Sequence, residues 1–119
     1  MDYRNVYEKL WLAHAIYEAS WDGAKYRLFS ESAIDYVLDD ADHDTAAWWQ
    51  YARLQGRSQD FWEFLQRELD VPSSAQDAYL SDLWVKWATP KVRRWVATQV
   101  NSHKIIDWPA WIPMTERAG

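Results

Sequence analysis

Between Leu80 and Val100 the chain reads LSDLWVKWATPKVRRWVATQV, and this run leaves few folds open. Leu80, Leu83, Trp84 and Trp87 recur at i, i+3, i+4 and i+7, the spacing that sets four apolar side chains on one helical face. Val92, Trp95, Val96 and Val100 repeat the pattern. Between the stripes stand Thr89, whose hydroxyl can cap a helix start, and Pro90, whose fixed φ suits the first helical position. The spacing predicts two tryptophan-bearing helices meeting at a tight break, the nucleus of a helical core.

The rest of the chain agrees with an all-α reading. A first helix is expected over residues 3–20 behind Asp2 as its cap, with Tyr3, Tyr7, Leu10, His14, Tyr17 and Trp21 on one stripe. Leu12 and Ile16 fall on its opposite side, as in a helix covered on two faces. Ser30 starts a second helix with Ile34, Val37, Leu38 and Ala41 inward. Asp44 or Thr45 caps a third, which Gly56 ends. Ser58 caps a fourth carrying Phe61, Trp62, Leu65 and Leu69, closed by Asp70-Val71-Pro72. Ser74 to Asp77 resembles a capping box for the fifth helix. After Ser102 the text becomes HKIIDWPAWIPM, where two prolines forbid a helix and predict an extended tail that lays tryptophans across the bundle. Lys25–Phe29 is readable as a helical turn or as a short strand paired with His103–Trp108. The expected architecture is one helical domain over residues 1–119: a compact bundle of about five to six short helices with a Trp/Pro-containing tail.

Composition narrows the functional classes. The chain has 119 residues, a net charge of −5, no cysteine, and 10 Trp, 7 Tyr and 3 Phe. A globule of this length has a radius of gyration of about 13–14 Å, too small to enclose every ring, so some tryptophans are expected at the surface. Without cysteine there is no disulfide framework, thiolate nucleophile or Cys-based zinc site. The start, MDYRNVYEKL, has neither the basic opening nor the apolar run of a signal peptide, and no stretch has the ~20 apolar residues of a membrane span. The expected location is the cytoplasm, that of the host if the chain is phage-encoded.

Charge is uneven: residues 1–50 carry −6 and the remainder +1. Asp35, Asp39 and Asp42 fall together on a flank of the second helix, with Asp40 on its far side and Asp44 just beyond, and carboxylates crowded at a helix end oppose its dipole and repel one another. Stability alone does not select such a cluster; the alternative is a merely solvated acidic face. Trp49 turns about 100° away from Trp48 and is the tryptophan expected to stand exposed beside the aspartates.

Chemical motifs are scarce. Asp40-x-Asp42-x-Asp44 begins like a calcium loop, but Thr45 and Tyr51 occupy the positions that need glycine and glutamate. His14, His43 and His103 have no zinc spacing, and the three glycines build no phosphate loop. His14 in the aromatic stripe reads better as a core histidine than as a ligand. No cofactor, metal or catalytic residue is expected. Lys91, Arg93 and Arg94, at the start of the helix that begins at Pro90, match a helix-turn-helix recognition helix, although the turn lacks its frequent glycine and the net charge is acidic. The leading expectation is a non-enzymatic binding protein whose aspartates and Trp49 cover a basic surface of a partner, possessed by a nucleic-acid-binding complex or a toxin. Small acidic helical inhibitors of this kind include immunity proteins and phage or plasmid counter-defence proteins such as anti-CRISPRs. DNA binding through Lys91, Arg93 and Arg94 is the alternative.

Overall fold

The computed structural model describes residues 3–20, 45, 47–48, 58–103, 105 and 107–117. Four helices carry this part of the chain: α1 (Arg4–Ser20), α2 (Ser58–Leu69), α3 (Gln76–Trp87) and α4 (Pro90–Asn101). Two short 3-10 turns, Ser73–Ala75 and Met114–Glu116, complete it. There is no strand among the described residues, so the fold is all-α as the periodicity predicts. The second helix expected after Ser30 and the segment Lys25–Phe29 lie outside the described residues. Of the third, Thr45, Ala47 and Trp48 are described, and all three are helical.

The central element is α1. Leu10, Trp11, Leu12, Ala13, Ala15 and Ile16 are all buried, because α1 packs against both α2 and α3. That is the consequence of apolar residues on two sides of one helix. Leu65 and Leu69 of α2, Leu80, Leu83 and Trp84 of α3, and Val92 and Val96 of α4 join it in one core. Trp48 packs on the edge of this core, with its ring 5.7 Å from those of both Tyr3 and Tyr7. No helix among the described residues is long and apolar enough to cross a membrane.

The helix ends follow local chemistry, with one correction. Asp70 ends α2 in the left-handed region at φ 52°. Asp70 N–H donates to Arg67 O and Val71 N–H to Gln66 O, the paired bonds of a Schellman closure with aspartate in the usual glycine position. Thr89 caps α4: its Oγ1 accepts from Val92 N at 3.2 Å, with Pro90 in the first turn. The capping box expected at Ser74 does not form. Pro72 opens a 3-10 turn that runs directly into α3, leaving Ala75 in the cap position with no side-chain bond.

The tail also differs from the extended chain expected. Its prolines start turns: Pro109 O accepts from Ile112 N and Pro113 O from Glu116 N. Of His103–Trp108, His103 lies in a turn and Ile105 and Asp107 in bends, and no described residue is in a strand. The tail still delivers apolar groups, since Trp111, Ile112 and, just upstream, Ile105 are buried in the core.

Candidate functional site

Asp35, Asp39, Asp40, Asp42, Asp44 and Trp49 all lie outside the described residues. Lys91, Arg93 and Arg94 lie within the first five residues of α4, and the structure separates them. Arg94 is exposed, whereas Lys91 and Arg93 are half-buried. Arg93 is turned back into the molecule. Its Nε donates to Ala88 O at 3.0 Å, and its Nη2 to Trp84 O at 3.1 Å and Val85 O at 3.3 Å. These carbonyls lie at the C-terminal end of α3 and on its cap residue Ala88, the negative end of the helix dipole, and Trp84 O also accepts from Ala88 N at 3.1 Å. A guanidinium, with five donors in a planar fork, satisfies several of them at once.

The remaining donor of Arg93, Nη1, reaches the carboxylate of Glu116 in the tail, and the buried Trp84 donates its indole N–H to the same oxygen. The Arg93 guanidinium carbon sits 5.5 Å from the Trp84 ring centre, within cation–π range. Trp111 packs edge-on against Trp84 at 5.9 Å, and its carbonyl accepts from Ser81 Oγ. The Arg93 hydrogen bond, helped by the Trp84 N–H, holds the Glu116 carboxyl below the usual range, against the opposing effect of burial. This corner of α3, α4 and tail is a carboxylate-recognition arrangement, occupied by the chain's own glutamate.

A second polar group lies in the seam between α1 and α3. Glu8 is only 6% exposed. It accepts from Tyr79 OH at 3.0 Å and from Lys86 Nζ at 3.4 Å, with Arg4 Nε 3.9 Å away. Arg4 Nη2 in turn donates to Tyr79 OH at 3.0 Å. Burial, then the hydrogen bond and charge of Glu8, raise the Tyr79 hydroxyl above its ordinary value, with Arg4 acting the other way. Lys9 and Lys86 each stand 4.7 Å from the centre of the Trp87 ring. The seam holds a carboxylate among cations, with Tyr79 and Lys86 engaging its two oxygens.

His14 is 1% exposed, with Tyr17 at 5.5 Å and Nε2 3.6 Å from a Glu18 oxygen. Burial raises the Glu18 carboxyl. An open concavity of about 670 Å³ at the end of α2 is lined by Glu63, Gln66, Arg67, Asp70 and Val71. Its charged side chains are exposed and of mixed sign, and Gln66 Nε2 already donates to Gln76 Oε1 at 3.2 Å. No group of three His, Asp or Glu side chains that could hold a metal occurs among the described residues.

Glu8, Tyr79 and Glu116 were not identifiable as a set from motif spacing. One signal existed for Glu8: it precedes Leu12 and Ile16 at i−4 and i−8, so an acid stands on a buried stripe. An acid there requires partners on the facing helix. Nothing comparable marks Glu116, whose role depends on how the proline turns fold. Neither a protein-family model, nor a curated protein sequence, nor a solved structure matches the chain.

Proposed function

We propose that the chain is a non-enzymatic protein-binding module, a small acidic inhibitor that covers a basic, nucleic-acid-binding surface of a partner. Immunity proteins and phage or plasmid counter-defence proteins, anti-CRISPRs among them, work in this way, in the cytoplasm of the cell that holds the partner. The observation that carries the reading is the charge pattern: five aspartates between Asp35 and Asp44 within a half of charge −6, against +1 for the remainder. Clustered charge of one sign speeds association with a complementary surface, and an adjacent aromatic such as Trp49 supplies an anchor.

The engagement of Arg93 weighs in the same direction. A recognition helix needs its first-turn bases for phosphates and base edges, and Arg93 spends its donors on α3 carbonyls and Glu116. Arg94 alone of the three is exposed.

The test begins with affinity capture from the native host and mass spectrometry to name the partner. Asp35→Lys, Asp39→Lys and Asp42→Lys are then combined. The triple variant should keep its helical circular dichroism and lose at least about 100-fold in affinity for that partner. Unchanged affinity refutes the acidic-surface reading. A low-salt gel shift that disappears in Lys91→Ala with Arg94→Ala would establish the DNA-binding alternative instead.

A further inference from the structure

The segment from Asp107 to Arg117 closes its backbone on itself. Trp108 N–H donates to the Asp107 carboxylate at 2.8 Å. Ile112 N–H donates to Pro109 O, Glu116 N–H to Pro113 O, and Arg117 N–H to Met114 O, at 2.9–3.2 Å. The Arg117 guanidinium ties the two turns together, through Nε to Ile112 O at 3.1 Å and Nη2 to Pro109 O at 3.3 Å. Among the described residues, no backbone-to-backbone hydrogen bond joins this segment to a helix. Among the described residues it is attached by insertion of Trp111 and Ile112 into the core, by Trp108 packed against it, and by three side-chain hydrogen-bonding contacts: Ser81 to the Trp111 carbonyl, and Trp84 and Arg93 to Glu116.

An element whose backbone bonds are internal can leave without breaking them, which is the structural condition for a local opening below the global unfolding free energy. The site it would leave is preorganised. Three of the Arg93 bonds go to the carbonyls of Trp84, Val85 and Ala88, none of which belongs to the strap. Arg93 Nη1 and the Trp84 N–H converge on one oxygen position, beside the socket of Trp111 and Ile112. Two fixed donors next to an apolar socket select a peptide with a carboxylate a few residues from an aromatic side chain.

We propose that Asp107–Arg117 is a releasable strap latched by Glu116, and that its release opens the Arg93–Trp84 corner to an acidic, aromatic-bearing peptide segment of a partner. The strap is an autoinhibitory occupant: covalent attachment gives it a millimolar-range effective concentration that a free peptide must overcome. This inference is independent of the aspartate surface and does not rest on the function proposed above.

Two measurements on the full-length chain test it. In hydrogen–deuterium exchange of the unmodified protein, the amides of Ile112, Glu116 and Arg117 should exchange about tenfold or more faster than those of the buried turns of α1 and α3. Glu116→Gln should accelerate the strap by about a further tenfold and leave α1 and α3 unchanged, since it removes a charge-assisted bond. Strap amides that exchange at the rate of α1 and α3 in the unmodified protein would overturn the strap. The second measurement uses a labelled synthetic peptide of residues 107–117, DWPAWIPMTER. It should bind the full-length Glu116→Gln variant about tenfold more tightly than the unmodified protein, and the same peptide with glutamine for its glutamate should not. Equal binding of the two peptides, or no binding to the variant at millimolar concentration, would overturn the carboxylate site. If Glu116→Gln does not fold, Glu116→Asp, which keeps the charge and shortens the reach, replaces it in both measurements.

Discussion

Glu8 and Glu116 are both drawn into this molecule, and they are held in opposite ways. Glu8 belongs to α1, the most enclosed helix among the described residues, and its partners come from α1 and α3, elements fixed by their own apolar faces. Glu116 belongs to a turn whose backbone bonds are internal, and its partners, Trp84 and Arg93, help to attach that turn. At the seam the fold positions the polar group. At the corner the polar group positions part of the fold. Loss of Glu8 should therefore be felt as global stability, and loss of Glu116 as local release.

The largest expected effect bears on the element common to both. Trp84 is 1% exposed and lies on α3, which contributes to seam and corner alike. Trp84→Ala should cost about 3–5 kcal/mol in urea unfolding, from lost burial and the cavity left behind. Trp84→Phe keeps most of the ring and removes only the donor to Glu116. It should cost less than half as much and increase exchange mainly in the strap. Equal global destabilisation by both variants would break the distinction between core and latch.

Next comes the seam. Glu8→Ala should destabilise the whole protein by about 1–3 kcal/mol, because the Tyr79 hydroxyl and Lys86 lose their buried acceptor. Its exchange signature should spread over α1, α2 and α3 together. A response confined to one end of α1 would show that the seam does not act through the core.

The pH responses should also separate the two regions. Glu116 has a folded pKa below its unfolded value, so its contribution is complete above the unfolded pKa and fades as pH falls through the depressed folded one. Tyr79 has a raised folded pKa, so its contribution is complete below the ordinary phenol value and is lost as pH rises through the raised one. The corner should weaken in acid and the seam in alkali. Urea midpoints measured across pH for the unmodified protein, Glu116→Gln and Tyr79→Phe check this. Each variant should flatten the dependence at its own end only.

Much of the scaffold is legible in the sequence because it rests on periodicity. The stripes of α3 and α4, the Thr89 cap, the two-sided α1 and the stop at Asp70 all come from local spacing or local backbone chemistry. The misses have a common origin in contacts between distant segments. Pro109 and Pro113 exclude a helix, but whether they hold a chain extended or start turns depends on what the tail docks against. Arg93 looks like a surface base in a helical wheel. Its real environment is set by the carbonyls at the end of α3 and by Glu116, 23 residues away. For the aspartate cluster and Trp49, sequence supplies the charge pattern, and their surroundings lie outside the described residues.

The smallest expected effect asks whether the corner is a rigid frame or one more consequence of the strap. Thr89 sits at the corner's vertex and accepts from Val92 N, fixing the first turn of α4 and with it the place of Arg93. Thr89→Ala should cost about 1 kcal/mol in urea unfolding, the usual worth of a cap. If the frame is held by α3 carbonyls and the core, that loss is global, and exchange of the strap relative to α1 should be unchanged. If strap exchange rises while the global midpoint stays fixed, the cap is holding Arg93 for Glu116 alone. The corner would then be organised by the very segment it binds, and its preorganisation for another carboxylate would be lost.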